Sequence, residues 1–199
     1  MTDKTITIYT LYLKQIFDVL FAGFILIILF FPFLIIGILI KLDSKGPVFF
    51  RQERLGKDKK PFKIFKFRTM TNKQRKIEQV YKNNAEITRI GYYLRRFKID
   101  EMPQIINVMT GDMSIIGPRP CLPNIVEKYN LDEYRFMVKP GLSSIAGVNG
   151  SIYLTWKEKW WYDKYYVEHL SFLLDINIFL KTFLIIILGE EKFINRPKI

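Results

Sequence analysis

The sequence holds one cysteine, Cys121, and one histidine, His169, among its 199 residues. A lone thiol excludes an internal disulfide framework and any cysteine-rich zinc site, so the chain suits a reducing compartment and Cys121 reads as a small buried side chain. His169 reads as structural. No Walker phosphate loop, zinc-ligand spacing, internal repeat or low-complexity tract is present, which sets aside the classes those patterns mark. Acids are scarce beside bases: 31 Lys and Arg stand against 19 Asp and Glu, a formal net charge of +12. That excess calls for an anionic partner, whether nucleic acid, a phosphorylated substrate or acidic lipid. With no nucleic-acid recognition motif to support it, nucleic acid is not the expected partner. The length and a hydrophobic content of 49% suit one domain with attachments.

Charge is missing altogether from Val19 to Ile40, "VLFAGFILIILFFPFLIIGILI". As one helix this run is about 33 Å long at ~1.5 Å per residue, against a hydrocarbon core of ~30 Å. It is a membrane segment. No basic leader or small-residue cleavage site frames it, so it is expected to stay on as an anchor. Lys41, Lys45, Arg51 and Arg54 crowd its downstream side and place the bulk of the chain in the cytoplasm. Pro32 removes a backbone hydrogen bond in mid-run, which fits either a kinked spanning helix or a hairpin entering and leaving one leaflet.

Beyond the anchor, Asp43 to Pro47 is a turn that releases a short strand at Val48 to Phe50. An extended Phe62 to Arg68 places Lys66 and Arg68 on one face and Phe65 and Phe67 on the other. Lys73 to Ala85 is polar, a helix or loop whose apolar stripe is Ile77, Val80 and Tyr81. Ile90, Tyr93, Leu94 and Phe97 repeat at helical spacing from Thr88, with Arg95 and Arg96 at the helix C-terminal end. Met102, Ile105, Ile106 and Met109 mark a second helix, with Pro103 in its first turn and Asp100 and Glu101 at its N-terminus. Acids there satisfy the first-turn preference, with Asp favoured as a cap. The same place is an anion site which Lys66, Arg68 and Arg95 can join, and a carboxylate in such a pocket can attack phosphorus once cations neutralise both partners.

Arg119 lies between Pro118 and Pro120, a stiff turn that aims one guanidinium. Pro140-Gly141 suits a type II turn, and Gly147 and Gly150 continue a flexible loop. Trp156, Trp160, Trp161, Tyr162, Tyr165 and Tyr166 cluster on a helix suited to an interface or a core. "INIFLKTFLIIIL" is too short to cross a bilayer and is interrupted by Lys181, so it reads as an interfacial or packing helix.

Taken in order, "GPVFFRQERLG", "PFKIFKFRTM", "TRIGYYLRRFKIDEMPQIINVMTGDMSIIGPRP", "KPGL" and "VNG" behind an apolar segment resemble the bacterial sugar transferases, the monotopic polyprenol-phosphate phosphoglycosyl transferases. The likeness runs from about Lys14 to Phe183. It implies an α+β, mostly helical fold, with a re-entrant anchor over residues 1–45 kinked at Pro32 and a cytoplasmic catalytic domain over 46–199 with short strands and interfacial helices. It implies transfer of a phospho-sugar from a UDP-sugar to undecaprenyl phosphate, releasing UMP, at the cytoplasmic face of the bacterial inner membrane. Membrane lipid is then a further partner, and a homo-oligomer stays open. By similarity Asp100 is the nucleophile and a ligand of Mg²⁺, and Glu101 assists by handling a proton or orienting the metal. Lys66, Arg95 and Arg119 match positions near the diphosphate; Arg68 matches the motif with a less defined duty.

Two departures from the family pattern stand out. Phe31 replaces the serine often found before the proline, and Ser144, Ile145, Gly147 and Ser151 replace glycine, tryptophan, glutamine and arginine of "PGITGWAQVNGR". The competing expectation is a membrane-anchored module without enzymatic activity that holds acidic lipid at about 1 kcal/mol per nearby cation. The adjacent acids at Asp100 and Glu101 weaken it.

Overall fold

The computed structural model describes residues 8–71, 86–129 and 133–197. The polar segment Lys73 to Ala85 lies outside them. A π-helical turn, Tyr9–Leu13, leads into helix α1, Lys14–Asp43, whose 30 residues span about 45 Å at ~1.5 Å per residue. Pro32 lies inside this helix, which is continuous on both sides of it. Among the described residues α1 is the one helix long and apolar enough to cross a membrane.

One side of α1 packs and the other does not. Ala22 and Ile40 are buried, with Ile25, Leu26, Phe33 and Ile36 packed beside them, while Leu20, Phe24, Ile27, Phe31, Leu34, Ile35 and Ile38 are exposed. Polar contacts tie both ends to the same body. Near the start, Lys14 Nζ lies 2.6 Å from Asp175, and Asp18 accepts from Ser114 Oγ at 2.5 Å and Ile115 N at 3.1 Å. At the far end, Asp43 accepts from Ile90 N at 2.9 Å, and Arg68 Nη2 donates to the carbonyls of Ser44 at 2.5 Å and Ile40 at 3.3 Å.

A turn through Gly46, whose φ of 131° suits glycine, enters strand β1, Phe49–Leu55. This strand runs further than the three residues expected. It pairs antiparallel with β2, Pro61–Phe67, from Phe49 opposite Phe67 to Leu55 opposite Pro61. The division of β2 into a packed and a cationic face is not what forms. Phe62 and Ile64 share the Lys66 side of the pleat, and Ile64 is buried against Ala22, Ile105 and Val108.

Helix α2, Arg89–Arg96, starts where expected, with the Thr88 hydroxyl accepting from Gly91 N at 3.0 Å. A Cβ on Gly91 would stand 2.1 Å from the Thr69 carbonyl oxygen, so glycine is what lets this helix approach the end of β2. The second predicted helix divides into a 3-10 turn, Ile99–Gln104, and α3, Ile105–Met109. Strand β3, Ser114–Ile116, pairs in parallel with β4, Gly141–Ser143. Between them lie α4, Pro123–Tyr129, and the 3-10 turn Glu133–Met137.

Gly141 is not the third residue of a type II turn. Its φ lies outside the left-handed region, and a Cβ there would stand 2.1 Å from Gly117 N, so glycine serves the close approach of two strands. The stretch expected as a flexible loop forms 3-10 turns at Gly147–Asn149 and Ser151–Tyr153, with Val148 and Asn149 buried.

Helix α5, Trp156–Glu168, begins with a reciprocal cap between Thr155 and Glu158. Its rings divide: Trp160, Tyr162 and Tyr166 enter the core, and Trp161 and Tyr165 stay at its edge. His169 caps the helix end, its Nδ1 2.9 Å from the Tyr165 carbonyl. Helix α6, Phe172–Leu188, buries Ile178 and Ile185 and exposes Leu173, Leu180, Phe183, Ile186 and Ile187. Cys121 is buried as expected.

Candidate active site

A cleft of about 1640 Å³ runs between the charged turn at Asp100 and the apolar sides of α1 and α6. Lys66, Arg95, Asp100, Glu101 and Arg119 contribute charged groups to its lining, and Phe21, Ile25, Ile28, Phe179, Phe183 and Ile186 contribute apolar ones. Such a lining offers both charged and apolar contacts.

The charged group is assembled from four separate segments. Lys66 comes from β2 and Arg95 from the last turn of α2. Lys98 then adopts a left-handed φ of 56° and turns the chain, so the 3-10 segment carrying Asp100 and Glu101 starts directly after α2. Neither acid is a side-chain N-cap: the cap position is Lys98, with no side-chain cap bond. Asn107 fixes the distance to β2. It is fully buried, accepts from Phe65 N at 3.0 Å and donates to the Lys63 carbonyl at 2.9 Å, locking α3 to the strand that bears Lys66.

Glu101 Oε1 accepts from Lys66 Nζ at 2.6 Å and from Arg119 Nη2 at 2.7 Å. Burial alone would raise its carboxyl, but the Arg119 guanidinium and Lys66 ammonium outweigh this and hold it well below the usual carboxylate range. Asp100 moves the other way. Burial raises it, the adjacent Glu101 charge adds to this, and Lys66 and Arg95 oppose both. Arg95 is steadied by its Nε donating to Thr69 Oγ1 at 2.8 Å. Arg68 borders the cleft but is not brought into this cluster. It is 5% exposed and its Nη2 serves the Ser44 and Ile40 carbonyls at the end of α1.

The donor set fits a cation carried by substrate better than a protein cage. Among the described residues no three His, Cys, Asp or Glu side chains converge, and Glu101 is already shared by two cations. Asp100 is left as the carboxylate donor. Mg²⁺ commonly uses one or two carboxylates together with substrate phosphate oxygens, which is the number of ligands this turn offers.

Sequence reasoning missed Asn107, Thr69, Arg135, Asp163 and Asp175, all of them buried or partly buried polar groups whose partners lie far along the chain. A polar residue within an apolar helical stripe, as at Asn107 and Asp175, is the sequence signal that marks two of them.

The family model for bacterial sugar transferases matches residues 9–189. An uncharacterized sugar transferase, EpsL, of Bacillus subtilis is 36% identical over 179 residues, covering 89% of each chain. The UDP-glucose:undecaprenyl-phosphate glucose-1-phosphate transferase of Klebsiella pneumoniae is 37% identical over 180 residues, 85% of this chain and 39% of that one. The UDP-N-acetylgalactosamine-undecaprenyl-phosphate N-acetylgalactosaminephosphotransferase of Aeromonas hydrophila is 37% identical over 188 residues, 89% of this chain and 44% of that one. This chain thus spans less than half of these two longer relatives and nearly all of the Bacillus one. With a match that takes in both apolar helices and every residue of the charged turn, the chain belongs to the bacterial sugar transferase family.

Proposed function

We propose that this protein transfers a sugar phosphate from a UDP-sugar to undecaprenyl phosphate, releasing UMP, as the first membrane step of glycan assembly. The observation that carries the reading is the cleft itself, where Asp100 stands among Lys66, Arg95 and Arg119 and apolar side chains of α1 and α6 share the lining. A soluble nucleotide and the phosphate of a lipid can both reach such a place.

In the proposed reaction an Asp100 carboxylate oxygen attacks the β-phosphorus of the donor. The bond from that phosphorus to the bridging oxygen breaks, and UMP leaves with the oxygen and its electron pair. A phosphate oxygen of undecaprenyl phosphate then attacks the same phosphorus, the bond to Asp100 breaks, and the carboxylate is regenerated. Lys66, Arg95 and Arg119 supply positive charge where phosphate oxygens gather. Glu101, held ionised by two cations, positions them and is a poor proton donor. Mg²⁺ on Asp100 and the diphosphate would neutralise charge on the donor.

The same reading places α1 within one leaflet, with both ends at the cytoplasmic face of the inner membrane. Its support is that Lys14, Asp18 and Asp43, near opposite ends of the helix, all bind the one globular body. A helix crossing the bilayer would carry one end away from it. Pro32 removes one backbone bond at the middle of this helix.

The test uses detergent-solubilised protein with Mg²⁺, undecaprenyl phosphate and a panel of UDP-sugars, reading UMP release from wild type and Asp100→Asn. Release by wild type that depends on the lipid, with loss on the order of 10⁴-fold or more in Asp100→Asn, supports the reaction and names the sugar. Substantial turnover by folded Asp100→Asn removes the nucleophile from the scheme.

A further inference from the structure

We propose that Arg135, which lies outside the charged cluster at Asp100, is a positioning residue that sets the direction of the Arg119 guanidinium. The inference rests on the transferase reading, because it names a support of that same site. Arg135 belongs to the 3-10 turn Glu133–Met137 and is 6% exposed. Its Nη2 donates to the main-chain carbonyl of Arg119. The same Nη2 also lies 3.5 Å from Asp163 Oδ2, and the guanidinium carbon lies 4.2 Å from the centre of the Trp160 ring, both residues being on α5.

The surroundings of Arg119 explain why this contact matters. Pro118 and Pro120 carry no N–H, so this stretch is held largely through its carbonyls. Pro118 O accepts from Gly141 N at 2.9 Å and Cys121 O accepts from Leu55 N at 3.0 Å, which fixes the two flanks. The Arg135 bond holds the residue between them, the one whose exposed side chain reaches Glu101. Pro120 already confines Arg119 to extended backbone. With its carbonyl also pinned, the Cα–Cβ direction of Arg119 is set before any substrate arrives.

A planar cation is needed for this work, with Nη2 reaching both the carbonyl and Asp163 while the guanidinium lies over the Trp160 ring. One planar guanidinium can face the carbonyl, the Asp163 carboxylate and the Trp160 ring at once, whereas an ammonium is a point donor. Charge alone, as in lysine, keeps the pairing with Asp163 but not the shared geometry. The buried pair thereby connects the aromatic core of α5 to the catalytic turn, two regions that share no sequence neighbourhood.

The experiment compares UMP release by wild type, Arg135→Lys, Arg119→Ala and the double variant, with melting temperatures in the same detergent. Ile178→Val serves as a comparator that loosens the core at α6 without removing any polar contact. The expected result is a loss of kcat/KM on the order of 100-fold in folded Arg135→Lys, as for a misplaced catalytic group. Arg119→Ala should then add less than about threefold on that background, since both changes act through one guanidinium. Multiplying effects would overturn the proposal, as would Arg135→Lys within about twofold of wild type per folded molecule. Should Arg135→Lys fail to fold, Asp163→Asn, which takes the carboxylate charge from the same Nη2, carries the same comparison with Arg119→Ala. Absence of release by wild type with every donor overturns the transferase reading and this assignment with it, an outcome distinct from an active enzyme indifferent to Arg135.

Discussion

Lys14 and Asp175 face each other across 2.6 Å, joining the first turn of the apolar helix α1 to the first turns of α6. Asp175 also accepts from the hydroxyls of Tyr9 at 2.6 Å and Tyr166 at 2.7 Å, and it is buried. Two helices with large apolar faces are thus fixed side by side through one carboxylate. Removing it leaves a charged amine and two hydroxyls without their common partner. Asp175→Ala should lower stability by about 3 kcal/mol or more, measured as denaturant unfolding in micelles; a change within about 0.5 kcal/mol would mean that the network is replaceable by water.

The acid limb of the rate profile should report Asp100. In the proposed reaction this carboxyl must be ionised to attack, and burial together with the Glu101 charge raises it. Activity should therefore fail on acidification at a pH above the ordinary aspartate range of about 3.9. Glu101→Gln removes the neighbouring negative charge and releases Lys66 and Arg119 to act on Asp100. Both effects favour the ionised form, so the limb of the residual activity should move to lower pH. A limb that stays in place or moves upward would assign it to another group.

Arg68 should behave as a structural cation. Its Nη2 binds the Ser44 and Ile40 carbonyls from a buried position at the end of α1. Arg68→Lys, whose shorter side chain draws the donor back from both carbonyls, should cost about 1 to 3 kcal/mol of stability while the folded fraction keeps its donor KM. A raised KM with unchanged stability would return Arg68 to the phosphate site that its motif implies.

The placement of α1 is open to labelling. With both helix ends at the cytoplasmic face, a thiol tag added at the N-terminus should react with a membrane-impermeant reagent only after cells are lysed. Labelling in intact spheroplasts would establish a spanning helix.

Much of this architecture was legible along the chain. The apolar run from Val19 to Ile40 lies inside α1, and the repeats at Ile90 and Leu94 lie on α2, because helical periodicity depends on neighbours three and four residues apart. Thr88 capped its helix for the same local reason. Where segments from distant parts of the chain meet at one residue, local pattern does not say which partner it takes. Alternation in β2 marked Arg68 as a companion of Lys66, yet Lys66 reaches Glu101 while Arg68 turns to the carbonyls of α1. Gly141 resembled a turn glycine, yet it serves the close approach of β4 to Gly117.

The order of residues along the chain is enough to read the long apolar helix, the excess of positive charge, the adjacent acids at Asp100 and Glu101 and the family they belong to. All of these are properties of composition and short-range order. Tertiary structure alone decided which cations meet Glu101, that Asn107 clamps α3 to β2, and that Arg135 grips the carbonyl of Arg119 from the far side of the turn. The reason is physical: a buried polar group must find a partner wherever the packed chain brings one, and sequence spacing carries no record of that distance.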